Sequence, residues 1–284
     1  MPRSIWIFVI PSLLFVAIFI LYPVGQMIYL AFTRWNGVAV PVFTGLRNFM
    51  AAVNDSTLLE SLQNNFAWVL VFLVVNNFLG LLLAGSLEIL GARLSQFYRV
   101  VLYTSTLLPN VVISYLFLAI YDPQIGILNS FFNTLGLKSL ASTLWLGNPN
   151  LTLYSVLASS VWQYAGFPML IFLAGFAGIP PSIKEAAKID GASEWQIFWR
   201  VKVPMIRPII ITLLALTWIW NSAPFGPIWT MTKGGPGHAS EVLVTYLYRL
   251  GFSGFEFGYA SMVSFILFII VLPVVIIFVR VFEK

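Results

Sequence analysis

No cysteine occurs in this chain, which excludes disulfides and thiolate metal sites outright. There is one histidine, His238, in a stretch rich in Gly and Pro and without a partner cluster. A solvated loop residue is the expectation there, and neither a metal centre nor histidine catalysis has a foundation. Charge is scarce as well: 9% of the 284 residues are Asp, Glu, Lys or Arg. No G-x-x-x-x-G-K-[ST] stretch is present, so the chain does not cradle a nucleotide by that route. The basic cluster that nucleic-acid binding needs is missing too.

What is abundant is hydrocarbon. Hydrophobic residues make up 60% and aromatic residues 16% of the chain, with a mean hydropathy of +0.92. That exceeds what a soluble core of this length buries, so a bilayer must be the solvent. Uncharged runs at 4–33, 61–87, 100–121, 139–183, 210–232 and 257–279 each supply the roughly 20 apolar residues of a spanning helix. Runs such as "WVLVFLVV" and "FILFIIVLPVVIIFV" are apolar on every side, which argues against the alternation of a membrane barrel. The prediction is an all-α membrane protein, one transmembrane domain over 1–284, with six spans at about 5–32, 66–90, 100–122, 151–179, 207–232 and 257–281. The first apolar run lacks a clear small-residue cleavage site and reads as a retained helix.

Orientation follows from the cations, because Lys and Arg favour the cytoplasmic side. With both termini cytoplasmic, the inner side holds Arg3, Arg93, Arg99, Lys184, Lys188, Arg200, Lys202, Arg207, Arg280 and Lys284. The outer side holds Arg34, Arg47, Lys138, Lys233 and Arg249, and ten against five supports this topology. The spans hold no ionisable group at depth, since Glu88 and Asp122 sit at helix ends. A proton or ion relay therefore cannot be drawn, and any energy for transport would have to come from elsewhere.

Uncharged polar residues do lie in the spans: Asn76, Asn77, Asn110, Gln163, Tyr164, Thr217 and Asn221. Interhelical hydrogen bonding explains any one of them equally well. The stretches "SSVWQYAGFPM" and "TWIWNSAPFGPIW" interleave amides, hydroxyls and aromatics with Gly and Pro, a surface suited to a sugar. Hydroxyls need directional partners and ring CH faces pack on aromatic planes. Thr217, Asn221 and Pro224 share one helical face. Trp220 falls near the middle of its expected span, which favours a cavity or bundle-core role over the headgroup belt.

Eight charged side chains crowd between Pro181 and Pro208. Pro180-Pro181 stops the fourth span, and Ser182 with Glu185 forms a capping-box pattern for a new short helix. Asp190-Gly191 closes it, Ser193 with Gln196 repeats the box, and a second helix runs to Pro204. Beside Glu185, Ala186 and Ala187 leave a small, flat patch that another protein can approach closely. An amphipathic helix lying on lipid is the competing explanation, but the mixed charges and weak apolar content fit protein docking better.

The stretch "EAAKIDGASEWQIFWRVKVPMIRP" closely resembles the EAA loop of permease subunits of bacterial ABC importers. Glu185, Ala186, Ala187, Asp190, Gly191, Ala192, Phe198, Pro204 and Pro208 stand where that pattern has them. The segments "YPVGQMIYLAF", "FTGLRNF", "LLPNVVISYLFLAIYDPQIGILN" and "MTKGGPGHASEVLVTYLYRLGF" extend the resemblance to the carbohydrate branch, which includes maltose-type and glycerol-phosphate-type permeases. The resemblance implies the type I importer permease fold, with residues 181–204 as a coupling segment seated in a groove of an ATPase subunit. It implies a second permease subunit, two ATP-binding subunits that carry the ATP and Mg, an extracytoplasmic solute-binding protein, and a bacterial inner-membrane location among lipid. This chain itself would hold no cofactor and perform no catalysis. The fourth-helix ligand contacts Gln163, Tyr164 and Phe167 rest on family position, and they join Thr217, Asn221 and Pro224 as the expected sugar wall. Ser240 is expected to cap a short outer helix lying along the membrane surface. A sugar-handling membrane enzyme and a membrane scaffold are the rivals; the first would want cavity carboxylates or a metal cluster.

Overall fold

The apolar runs fold as helices, and the computed structural model describes residues 4–282. Arg3 and Lys284, counted above on the inner side, lie outside the described residues. In chain order the helices that build the bundle are α1 (Val9–Ala31), α2 (Ser56–Ile89), α3 (Ala92–Leu107), α4 (Asn110–Ile120), α5 (Pro149–Ala177) and α6 (Pro181–Ile189). After them come α7 (Glu194–Met205), α8 (Arg207–Asn221), α9 (Gly226–Met231), α10 (Leu243–Tyr248) and α11 (Phe257–Phe282). Of these, α1, α2, α5 and α11 are each long and apolar enough to cross a bilayer, and the bent pairs α3–α4 and α7–α8 bring the number to six if each pair counts as one span.

Proline sets where the spans break. The straight span expected at 100–122 is instead two helices meeting at 98°. A residue preceding proline is driven out of the helical region; Leu108 is extended, with ψ 141°, and α4 restarts at Asn110 behind Pro109. The span expected at 207–232 is helical only to Asn221, and the chain restarts as the short α9. Pro224 and Pro227 have no N–H to continue the ladder. Trp220 consequently sits at the end of α8 and not near the middle of a span.

Small residues let these rods approach one another, as membrane bundles require. A Cβ on Gly80 of α2 would lie 2.6 Å from the Pro168 ring, and one on Gly166 of α5 would lie 2.4 Å from the Leu102 carbonyl oxygen. Pro168 also loosens α5 one turn earlier, and the carbonyl of Gln163 is taken up by the hydroxyls of Ser105 (3.1 Å) and Thr106 (2.8 Å). Met169, Phe172 and Phe176 then fill the α2–α5 seam against Leu81, Ala84 and Leu213. The first turns of α1 lack such cover: of its residues only Ala31 is buried, in the last turns, which pack against α11.

The outer loop departs from expectation. Ser240 does not cap α10; its hydroxyl is 2.8 Å from that of Thr232 and bonds the Gly235 carbonyl at 2.7 Å, while the Val242 N–H donates to Thr245 Oγ1 at 3.0 Å. Nor does α10 lie on a surface. Val242, Leu243 and Thr245 are buried where the helix packs against α2 and α11. His238 is not merely solvated, since its Nδ1 stands 2.9 Å from the carboxylate of Glu241, a fully buried acid that Arg249 also contacts at 2.9 Å. Bonds within the loop itself, from Thr232 to Glu241, take the place of the expected cap.

Asp55 joins three of these elements. It caps α2 through Leu58 N–H at 3.0 Å and accepts the hydroxyls of Tyr246 (2.6 Å) and Tyr259 (2.7 Å). Partial burial pushes its acidity one way, but the two hydroxyls and the backbone N–H groups outweigh it and hold the carboxyl below its ordinary 3.8. A depressed folded-state value means that the stabilisation is present above that ordinary value and is lost as pH falls through the folded one. The detergent-solubilised chain is therefore expected to lose thermal stability below about pH 4, and Asp55→Asn should flatten this acid limb in a melting series from pH 7 to pH 3. An equally steep limb in the variant would assign it to other carboxylates.

Candidate functional site

The breaks around Pro109, Pro168 and Pro224 converge on a cavity of about 450 Å³, within the usual range for small-ligand sites. Trp68, Phe72 and Asn76 come from α2, Thr106 and Asn110 from the α3–α4 corner, and Tyr164, Phe167 and Pro168 from α5. Thr217, Trp220 and Asn221 on α8 and the Pro224 turn complete the wall, and no lining residue carries a formal charge.

The aromatic faces are set at angles to one another. Trp68 stacks on Phe72 with centroids 5.6 Å apart, and Phe167 meets Trp220 edge-on at 5.4 Å. Trp220 is 59% exposed within the chain, so its ring presents a free face.

The polar groups are held by a second set of amides. Asn110 Oδ1 accepts from Gln163 Nε2 at 3.0 Å and from the Tyr164 hydroxyl, which fixes the side chain and leaves the Nδ2 donors uncommitted to those partners. Asn221 Oδ1 takes the Trp68 indole N–H at 3.4 Å, and Thr217 Oγ1 accepts from Asn77 at 3.2 Å. Asn77 also caps the carbonyls of Phe72 and Leu73, where α2 widens into one π turn over Phe72–Asn76. Asn76 Oδ1 is buried and finds no partner among the described residues. A buried acceptor of this kind costs about 1–3 kcal/mol unless something satisfies it.

Of the six residues expected at the sugar wall, Tyr164, Phe167, Thr217, Asn221 and Pro224 line the cavity. Gln163 does not. It is 1% exposed and spends its amide on the Leu108 carbonyl and on Asn110; it lies in regular helix, one step around from the face that Tyr164 and Phe167 share. Asn110 and Asn76 were visible as polar residues in apolar spans. Trp68 and Phe72 carried no such signal, since they lie in a run that is apolar all round.

The charged segment forms a helix, a turn and a helix. Gly191 adopts the left-handed φ of +79° that ends α6, and the box at Ser193 and Gln196 is formed by reciprocal bonds. The box expected at Ser182 is not, because Pro181 occupies the first helical position and Pro180 precedes it. No residue of α6 is buried; Glu185, Ala186, Asp190 and Gly191 are exposed, while Ala187 and Ala192 are half-buried. Ile189 is 86% exposed and Trp195 66%, an apolar showing at odds with a helix that ends its role at the water surface. Lys188 pairs with Glu194 across the turn at 2.6 Å.

Known proteins match this architecture along its length. The permease protein YurN of Bacillus subtilis is 32% identical over 94% of this chain and 91% of its own. The osmoprotective compounds uptake permease protein GgtC of Synechocystis is 31% identical over 97% and 98%, and the multiple sugar-binding transport system permease protein MsmF of Streptococcus mutans is 28% identical over 94% and 90%. The crystal structure of a bacterial ABC transporter involved in the import of the acidic polysaccharide alginate has the same fold, with a TM-score of 0.85 over 99% of this chain and 95% of that one at 21% identity. Residues 76–284 match the family described as binding-protein-dependent transport system inner membrane component, and the chain belongs to that family.

Proposed function

We propose that this chain is one permease subunit of an ATP-driven importer for an uncharged carbohydrate, forming half of the pathway and taking force from separate ATPase subunits through α6. The single observation that carries the substrate class is the cavity: angled aromatic faces beside fixed amides and hydroxyls, with no charge in the wall. Relatives support it, among them a starch degradation products permease protein and a diacetylchitobiose uptake permease protein. Their names describe those proteins, and the cavity chemistry extends the substrate class here. A phosphorylated or acidic sugar would need cations that this wall lacks.

The assembly follows from what the chain leaves uncovered. The apolar, exposed first turns of α1 and the open side of the cavity call for a second permease. The exposed α6 calls for an ATPase that binds ATP and Mg. A solute-binding protein delivers the sugar from outside; a second crystal structure of the same fold, at 21% identity, shows an alginate transporter in complex with a periplasmic protein. Both termini then face the cytoplasm in a bacterial inner membrane, as the Lys and Arg distribution supports. The transported sugar is moved without a covalent step.

The test is uptake of labelled sugars into proteoliposomes holding this chain, its partner permease, the ATPase and the loaded binding protein. Trp220→Ala is expected to cut uptake by about tenfold, the scale of one aromatic stacking contact, in a complex that still assembles. Unchanged uptake for every neutral sugar tried, with both Trp220→Ala and Asn221→Ala, would remove this cavity from the pathway.

A further inference from the structure

Glu88 sits in an awkward place. It is the second-last residue of α2, where the negative end of the helix dipole disfavours a carboxylate. Lys184 lies near the start of α6, where the positive end disfavours a cation. The two meet at 2.9 Å, and the other oxygen of the same carboxylate takes Lys202 of α7 at 3.0 Å. Lys202 is 8% exposed, so this contact is where its charge is answered. One carboxylate thus grips both arms of the helix-turn-helix at once.

Packing backs the grip. Phe198 lies so close to Gly85 that a Cβ there would fall 2.4 Å from its ring, and Phe198 is clustered with Leu87, Phe176 and Ile206 in the buried core. From Glu88, α2 runs as one helix to Asn76 in the cavity wall. The two are twelve residue steps apart, about 18 Å at about 1.5 Å per residue.

We propose that Glu88 is a positioning residue for energy coupling: an ionic clasp that makes the end of α2 move with the coupling segment, so that displacement of α6 reaches the wall at Asn76, Phe72 and Trp68. This rests on the importer reading above. An ion pair at a water interface that only neutralises charge would be worth little, and it would need neither two arms nor a buried lysine.

The experiment uses the complete reconstituted complex and reads sugar moved per ATP hydrolysed, together with assembly by size exclusion. Absence of ATP-driven uptake with the unaltered chain would sink the importer reading and leave the clasp without a role. Given uptake, Glu88→Gln is expected to lower the transport ratio by about tenfold, within the coupling energies usual between linked sites. Because Glu88→Gln strands a buried lysine and can weaken assembly, the deciding variant is Glu88→Gln with Lys202→Met, which removes both charges. Normal assembly with the ratio still low supports the clasp. A ratio restored by the double change shows that the carboxylate merely neutralises Lys202, and a normal ratio in Glu88→Gln alone overturns the proposal as well.

Discussion

Glu185→Lys is expected to reduce ATP-driven uptake by about 30-fold or more while the chain stays folded and inserted. Glu185 is exposed and makes no hydrogen bond or ion pair among the described residues, so its replacement removes nothing that holds the fold. On the proposed reading its worth lies in a contact with the ATPase subunit. Truncating or inverting one partner of a desolvated interface charge costs about 2–5 kcal/mol, and about 2 kcal/mol already corresponds to about 30-fold. The measurement is uptake in proteoliposomes beside co-purification of the ATPase. A folded variant with uptake and ATPase recovery both unchanged would show that this helix is not the docking element.

The second large effect concerns folding. Gly166→Ala is expected to destabilise the chain by about 3 kcal/mol or more, since the new Cβ would meet the backbone oxygen of Leu102 at 2.4 Å and overpacking against a rigid neighbour costs about 1–3 kcal/mol or more. The helices α3 and α5 must separate, which also pulls Ser105 and Thr106 from the Gln163 carbonyl. Gly25→Ala is the matched control: nothing lies within 4 Å of its added Cβ, and alanine is the better helix former. Thermal melts of the two purified variants check this. Equal midpoints would mean that the α3–α5 crossing is looser than described.

The bundle was legible from composition because lipid demands long apolar helices with internally satisfied backbones. The breaks inside it were less so, although their cause was written in the sequence: Pro109, with Leu108 before it, bends the third span, and Pro224 with Pro227 shortens the fifth. Apolar length alone does not reveal where a helix turns. The charged segment 181–204 was legible in its turn, where Gly191 and the Ser193–Gln196 box act locally, and misread at its start, where Pro181 outranks Ser182.

The cavity divides along the same line. Thr217, Asn221 and Pro224 follow from helical spacing, and they share a wall. Gln163 turns away because it lies one step around the helix from the face that Tyr164 and Phe167 share, and the α2 residues join the wall through a π turn that shifts the phase of a largely apolar run. The Ser240 cap failed because α10 begins only at Leu243 with Val242 in the cap position, and the Ser240 hydroxyl is instead used within the preceding loop, on Thr232 and the Gly235 carbonyl.

The absence of native cysteine allows the most direct test of the central claim, that residues 181–204 are an inward-facing joint driven by another protein. A lone cysteine at Ala187, treated with a membrane-impermeant thiol reagent on intact cells, is expected to stay unlabelled and to become reactive only once the membrane is opened. A lone cysteine at Val38, 90% exposed beyond α1, should label from outside. Labelling of Ala187→Cys in sealed cells would place the joint on the wrong face of the membrane and contradict the account.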